Sequence, residues 1–328
     1  MLDHWLDWTL DDRLPIQRSG QFASGSYTFH APGVMELTPK TPQPDAHCCI
    51  FSAAIHGNET APVELIGAWL SALEAGVITL GAPVLVILGN IPALRVQQRF
   101  IETNLNRLFN RDLGDSGAEP DRAHALMAAV DKFYADHAAL PKLHYDLHTA
   151  IRDSLFTRFV VEPFSATATT SDQWHWLAAA GMQAVLHQHQ TSWTFSHYSK
   201  HYHQAQAFTF ELGRVAPFGQ NDMLSLAPMQ ALLTALSQGQ TPARQAPEKM
   251  TFFQVQHELM RQAEDFTLYF ASDTPNFSCF EPGTRLAWDS VAGDFIVGET
   301  PLYVVFPNAN VAIGARAALL VSPSEAAN

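Results

Sequence analysis

Cysteine is scarce in this chain: three residues in 328, Cys48, Cys49 and Cys279, two of them adjacent. Sequence neighbours do not normally bridge, and a disulfide framework uses more cysteines at regular spacings. A disulfide-stapled fold is therefore excluded and a reducing cytoplasm expected. Basic residues are also few, 19 Lys and Arg against 32 Asp and Glu for a net charge of −13, which removes any general attraction to nucleic acid or an anionic membrane surface. Long apolar runs are missing too. The longest, around Leu80 to Leu94, is broken by Gly81, Pro83, Gly89, Asn90 and Pro92 and falls short of the ~20 residues of a membrane span. Near the start stand Asp3, Asp7, Asp11 and Asp12 without a basic or apolar segment, so neither signal peptide nor anchor is expected. There is no glycine-rich phosphate loop, and Gly25-Ser26-Tyr27 lacks the other elements of a nucleophile elbow, which argues against serine hydrolase chemistry.

What is present is core-forming material. Hydrophobic residues make up 47% and charged residues 16%, a composition for a folded protein of about two domains. Short apolar runs (Cys48 to Ile55, Val84 to Leu88, Leu143 to Leu147, Phe159 to Val161, Ala184 to Leu186, Ala207 to Leu212) alternate with helical patterns beginning near Pro62 and spanning Asp121 to Ala138. That alternation predicts an α/β domain with a mixed, largely parallel sheet flanked by helices. Gly239, Thr241, Pro242 and Pro247 then interrupt the pattern, placing a boundary near residue 240: a catalytic domain over 1–240 and a β-rich domain over 241–328. Runs at Phe266 to Phe270, Asp294 to Val297, Leu302 to Phe306, Val311 to Ile313 and Ala318 to Val321 are the strand candidates of the second.

Ligands of open α/β sheets gather at the carboxyl ends of strands, and three polar residues follow apolar runs there: His56, His148 and Glu211. His56 and Glu59, in His56-Gly57-Asn58-Glu59-Thr60, together with His148 make two imidazoles and one carboxylate. This is a donor set for a hydrolytic zinc ion with a fourth position open. Gly57 and Asn58 suit a sharp turn between the first two. Asp146, on the same strand face as His148, is placed to orient it. The competing reading is a helix cap at His56 and Glu59 and a hydrogen-bonded histidine at 148. Glu211 is the candidate for moving a proton, because a carboxylate ending an aromatic strand is costly to bury without a function or partner. Its alternative is a salt bridge to Arg214.

Arg95, Arg99, Arg107 and Arg111 fall within 17 positions. On one straight helix the last would point about 160° away from the first, so their roles must divide. Arg99 is a candidate for polarising a carbonyl, and Asn106 with Arg107 for binding a carboxylate; a solvated basic segment is the alternative. His187-Gln188-His189 and His197 to His203 lack an accompanying carboxylate or thiol, so a second metal is not expected there.

Four ordered segments resemble the succinylglutamate desuccinylase and aspartoacylase family of zinc carboxypeptidase-like hydrolases. They are Ala53 to Glu64, Leu105 to Phe109, Asp146 to Arg152, and Glu211 to Arg214 with Pro217-Phe218-Gly219. The resemblance implies one zinc ion on His56, Glu59 and His148, with Glu211 as catalytic carboxylate. It further implies Arg99 on the developing oxyanion, and Asn106, Arg107 and Arg152 on an anionic N-acyl amino acid. His148-Thr149-Ala150-Ile151-Arg152 is more similar to the desuccinylase branch, which implies N-succinyl-L-glutamate cleaved in arginine catabolism. The chain departs from the pattern at Asn104, where the family has an acidic residue, and at Asp153, where glycine is expected. Rival readings are a hydrolase for another N-acyl amino acid or a peptide C-terminus, and a non-catalytic dicarboxylate-binding protein. A homo-oligomer is left open.

Overall fold

The computed structural model describes residues 4–11, 14–15 and 17–325. Asp3 and Asp12, part of the N-terminal expectation, lie outside the described residues.

A short helix, α1 (Trp5–Leu10), leads into an antiparallel meander of β1 (Ser19–Phe22), β2 (Gly25–Ala31) and β3 (Val34–Pro39). The α/β alternation begins with β4 (Cys48–Ala53), α2 (Ala61–Glu74), β5 (Val84–Leu88) and α3 (Ile91–Arg95), then α4 (Ala118–Asp136) and β6 (Lys142–Ala150). It continues through β7 (Phe159–Glu162), α5 (Ser171–Ala179), β8 (Ala184–His187), α6 (Phe195–His203), β9 (Gln206–Arg214) and α7 (Ala227–Ser237). The C-terminal part contributes β10 (Thr251–Met260), β11 (Thr267–Leu268), β12 (Ser278–Phe280), β13 (Arg285–Asp289), β14 (Gly293–Ile296), β15 (Leu302–Val305) and β16 (Arg316–Ser324).

One thirteen-stranded sheet runs in the order β1-β2-β3-β5-β4-β6-β9-β7-β8-β10-β16-β15-β12, with a separate three-stranded sheet β11-β13-β14. Its centre, β5-β4-β6-β9, is parallel, and β7 joins β9 in the opposite sense. Such central strands are buried on both faces and so are written as apolar runs; β4 and β5 have no exposed residue. One face packs on α2, α5 and α7 through Leu65, Trp69, Leu177 and Leu233. The other packs on α4 and α6 through Leu126, Val130, Phe195 and Tyr198. Among the described residues no helix is long and apolar enough to cross a membrane.

The structure corrects the sequence reading in several places. Residues 19–39 form strands that the apolar-run search passed over, and β10 is a ten-residue strand despite Gln254, Gln256, His257 and Glu258 on its exposed side. Val311 to Ile313 is not a strand; it lies among turns between β15 and β16, where Pro307, Asn308 and Gly314 break the backbone. Finally, β8 and β10 pair in parallel from Ala184↔Thr251 to His187↔Gln254, so the main sheet continues across the composition break near residue 240.

Candidate active site

His56 and Glu59 lie between the end of β4 and the start of α2, and the chain leaves β4 through a left-handed residue, Ala54 (φ 53°). Gly57 is required for space rather than for its dihedrals. A Cβ there would meet Ala93 C at 2.1 Å, Leu94 N at 2.2 Å and Ala93 O at 2.4 Å, all backbone atoms that cannot swing aside. α2 then holds the loop down: Pro62 sits in its first turn and its apolar stripe from Val63 to Leu73 is buried. Segment 216–221 packs on this helix start. Thr60 Oγ1 donates to Ala216 O (2.6 Å), Asn221 Nδ2 donates to Thr60 Oγ1 (2.7 Å), and Gly219 N donates to Glu64.

β6 supplies the other half. On one face it carries Leu143, Tyr145 and Leu147 into the apolar core, and period-two alternation therefore puts His144, Asp146 and His148 together on the other. His148 Nδ1 lies 2.8 Å from Glu59 Oε2 and His56 Nδ1 lies 2.8 Å from Glu59 Oε1. All three residues are buried, and their ligand atoms lie within 4.8 Å of one another. Thr149 N also donates to Glu59 Oε2 (3.2 Å). Behind His148 runs a buried polar chain: its Nε2 meets Asp146 Oδ2 at 3.0 Å, Ser52 Oγ donates to Asp146 Oδ1 (2.5 Å), and His144 links Ser52 to Ser199 at 2.8 and 2.7 Å. Ser52 and His144 were not singled out in the sequence, although a serine in the apolar run Cys48 to Ala53 was a visible cost.

Two of the three groups, Glu59 and His56, already stand in the form that binds a cation, and His148 would give up a proton to join them. Burial opposes the charge on Glu59, but His56 and His148 outweigh it and hold the carboxyl well below the usual range. Burial pushes His56 down to about 4, with Glu59 opposing. His148 moves up, because Asp146 and Glu59 together overcome its burial. A neutral imidazole and an ionised carboxylate thus approach within 2.8 Å, nitrogen to oxygen, and the imidazole of His148 completes the set of three. Two His and one Glu, with no fourth His, Cys, Asp or Glu grouped with them among the described residues, is the ligand chemistry of a catalytic rather than a closed metal centre.

Glu211 is the register partner of His148 on β9. It is buried, and its Oε2 has no hydrogen-bond partner among the described residues. Burial first, then the charge of Glu59, lift its carboxyl to about 8, against the pull of His148 and Arg99. Arg214 pairs with Asp153 (3.2 Å), not with Glu211.

The four arginines do divide. Arg95, ending α3, donates to Leu10 O, and Arg111 donates to Asp131 (3.0 Å) and lies over the Tyr202 ring. Arg99 Nη1 donates to Glu59 Oε1 (3.0 Å), and Arg99 O accepts from Gly57 N. Arg107 Nη1 donates to Asn106 O (2.7 Å). Although solvent reaches Arg107, loss of hydration and the guanidiniums of Arg316 and Arg99 push it down to about 10, with Glu258 opposing. A cation under such repulsion is ready to take an anion. Asn106 Oδ1 accepts from Phe195 N (2.9 Å), which commits its oxygen and leaves Nδ2 as the available donor. Arg316 and Glu258, an ion pair at 3.3 Å on β16 and β10, with Gln190 donating to Glu258 (2.9 Å), come from segments that carry no sign of a site in the sequence. Arg152 is not brought to Glu59 or Arg99 by any contact among the described residues; it donates to Ser272 O. Of the two histidine runs, His187 is held by Glu162 (2.5 Å) and His203 by Asp131 (2.6 Å), while His197 stacks on His201 with its ring nitrogens unpartnered among the described residues.

An α/β sheet with buried His, Glu and His at its strand ends, a free carboxylate beside them and an attached β-rich part defines the class of carboxypeptidase-like hydrolases. A family model described as "Succinylglutamate desuccinylase/Aspartoacylase catalytic domain" matches residues 46–237, and one described as "AstE/AspA barrel-sandwich hybrid domain" matches 248–324. The chain belongs to the succinylglutamate desuccinylase/aspartoacylase family. It is 34% identical over 316 residues to a succinylglutamate desuccinylase of Serratia proteamaculans, covering 95% of each chain. Among solved structures it is similar to a succinylglutamate desuccinylase of Vibrio parahaemolyticus (TM-score 0.91, 31% identity, 98% of this chain and 95% of that one). It is also similar to one of Chromobacterium violaceum (TM-score 0.87, 32% identity, 99% and 98%).

Proposed function

We propose that this chain is a zinc-dependent amidohydrolase that cleaves N-succinyl-L-glutamate to succinate and L-glutamate, as a step of arginine catabolism in the cytoplasm. The activity is supported by the near full-length similarity to proteins named succinylglutamate desuccinylase. The chemistry is carried by one observation: the unpartnered Oε2 of Glu211 beside a buried His56, Glu59 and His148 cluster.

His56, Glu59 and His148 would hold the ion, which when bound supplies Lewis acidity to acidify water and polarise the scissile carbonyl. Asp146 keeps His148 oriented, with Ser52 bracing Asp146 from behind. Glu211, which the charge of a bound ion would return to its ionised form, accepts a proton from water at Oε2 and delivers it to the departing amine nitrogen. The net change is one water consumed, the C–N bond broken, and a carboxylate and a protonated amine formed, both of the water's protons ending on the amine nitrogen. Arg99 offers guanidinium N–H groups to the carbonyl oxygen as it gains charge. Arg107 and the Nδ2 of Asn106 take a carboxylate of the glutamate portion, and Arg152 is assigned to the outer part of the same anion. In this reading the catalytic unit spans residues 1–240 and the β-rich unit 241–328, with Arg316 and Glu258 of the latter bordering Arg107.

The test is a comparison of initial rates on N-succinyl-L-glutamate, N-acetyl-L-aspartate and a hippuryl peptide with the zinc-loaded protein. Preference for the first by a factor of ten or more is expected. Faster turnover of either other substrate would reassign the specificity, and binding without release of amine from any of them would remove the enzymatic reading.

A further inference from the structure

The two imidazoles of the cluster are braced by chemically different groups. His148 Nε2 is 3.0 Å from Asp146 Oδ2, a carboxylate that burial disfavours but His148, His144 and Ser52 keep ionised. His56 Nε2 is 3.0 Å from Asn104 Oδ1, a neutral amide 48 residues away in sequence. The same Oδ1 accepts from Asn106 N at 3.0 Å, capping the single turn Leu105–Arg107.

That second contact decides the proton. A backbone N–H can only donate, so the atom of Asn104 facing Asn106 N must be the oxygen, and the amide cannot be turned over without losing this bond. The oxygen has no hydrogen to give, so His56 Nε2 must be the donor across the 3.0 Å contact. A neutral imidazole with hydrogen on Nε2 has its lone pair on Nδ1, which faces the ionised Glu59 Oε1 at 2.8 Å, two electron donors that a cation between them would satisfy. Asn104 therefore writes the tautomer of His56. It does so without the negative charge that, on Asp146, makes the partner imidazole a stronger electron donor.

We propose that Asn104 is the positioning residue that commits His56 to coordinate through Nδ1, and that its neutral amide makes His56 the weaker arm of the site, so that a carboxylate at position 104 tightens zinc binding. The proposal rests on His56, Glu59 and His148 being cation ligands. Outer partners of this kind are worth about 10- to 100-fold in metal affinity. Because Asn104 also holds the turn that carries Asn106 and Arg107, a simple deletion would confound the two roles. Asn104→Asp keeps an acceptor oxygen for both N–H groups and changes only the charge.

The experiment strips the full-length wild type, N104D and N104L with chelator, then titrates zinc against a chromophoric competitor at one pH, with circular dichroism to check folding. Zinc held about tenfold or more tighter by N104D and about tenfold looser by N104L is expected. A folded N104D that binds zinc no tighter than wild type overturns the proposal while leaving the cation site standing. Wild type that binds no zinc removes the cation site and the proposal with it. Independently of any variant, nitrogen-15 NMR of histidine-labelled, zinc-loaded wild type at neutral pH should show the His56 proton on Nε2. Finding it on Nδ1 would equally overturn the assignment.

Discussion

His148 and Glu211 are register partners on the adjacent parallel strands β6 and β9, an imidazole and a carboxylate side by side on one face at the edge of the cluster. Their neighbourhood separates two jobs: His148 is tied to Glu59 and Asp146, whereas Glu211 keeps one oxygen untied. Glu211→Gln is accordingly expected to retain metal and lose about 10²- to 10⁴-fold in kcat, the range for removing a positioned acid-base group. His148→Ala should lose both metal and turnover. Metal content by elemental analysis beside kcat checks the pair, and a metal-replete E211Q with wild-type kcat would take Glu211 out of the chemistry.

Arg107 should act on binding rather than on bond breaking. Replacement by Met is expected to raise KM for the acyl amino acid about 10- to 100-fold, equivalent to roughly 1.5–3 kcal/mol for a lost charged hydrogen bond. Metal content should not change. A KM that stays put in R107M would mean that the carboxylate is read elsewhere.

Gly57 tolerates no side chain, because its Cα lies against the backbone of Ala93 and Leu94. Gly57→Ala must push His56 away from Glu59 or shift α3, and overpacking of this kind costs about 1–3 kcal/mol. The expected result is a lower Tm and weaker metal retention together. Unaltered metal affinity in G57A would show that the loop gives way without moving His56.

Outside the cluster, Lys200 is buried with its Nζ 2.9 Å from Glu162 Oε1 and 2.7 Å from Thr169 Oγ1, while His187 holds the other carboxylate oxygen. Glu162→Gln strands a buried ammonium and should destabilise by about 3–5 kcal/mol. The double variant E162L/K200M should cost far less, since no unpaired charge remains. Denaturant melts of wild type and the two variants at pH 7 give the comparison; equal losses in single and double variants would contradict it.

The same carboxylate gives the acid limb of stability its sign. Burial opposes ionisation of Glu162, but His187 and Lys200 override it and hold the group at about 2 against an ordinary 4.5. Its contribution is fully present above about pH 4.5 and is lost as pH falls toward 2. At ~1.4 kcal/mol per unit, this amounts to about 3 kcal/mol. Stability measured from about pH 6 down to about 2.5 should fall less steeply in E162L/K200M than in wild type; matching slopes would assign the acid limb to other groups.

Local pattern carried the parts of this protein whose physics is local. Cys48 to Ala53 announces a doubly buried strand because no polar side chain but Ser52 interrupts it, and the alternation His144, Asp146, His148 forces three polar groups onto one face of β6. His56 and Glu59 were visible because they follow such a strand where ligands collect. The contacts that complete the site span long sequence separations and leave no periodic trace. Asn104 meets His56 across 48 residues, and Arg316 and Glu258 reach the vicinity of Arg107 from the C-terminal strands. β10 escaped notice for a related reason: its solvent side is polar, so it lacks the apolar signature, and only pairing with β8 and β16 defines it. Val311 to Ile313 erred the other way, since β-branched residues without a pairing partner make no strand.

The ladder between β8 and β10 leaves the two family-matched regions poor candidates for separate expression. Ending the chain near residue 240 would strip β8 of its neighbour and bare a row of unpaired amides and carbonyls along Ala184 to His187, a template for edge-to-edge aggregation. The C-terminal fragment alone would bare the matching border of β10.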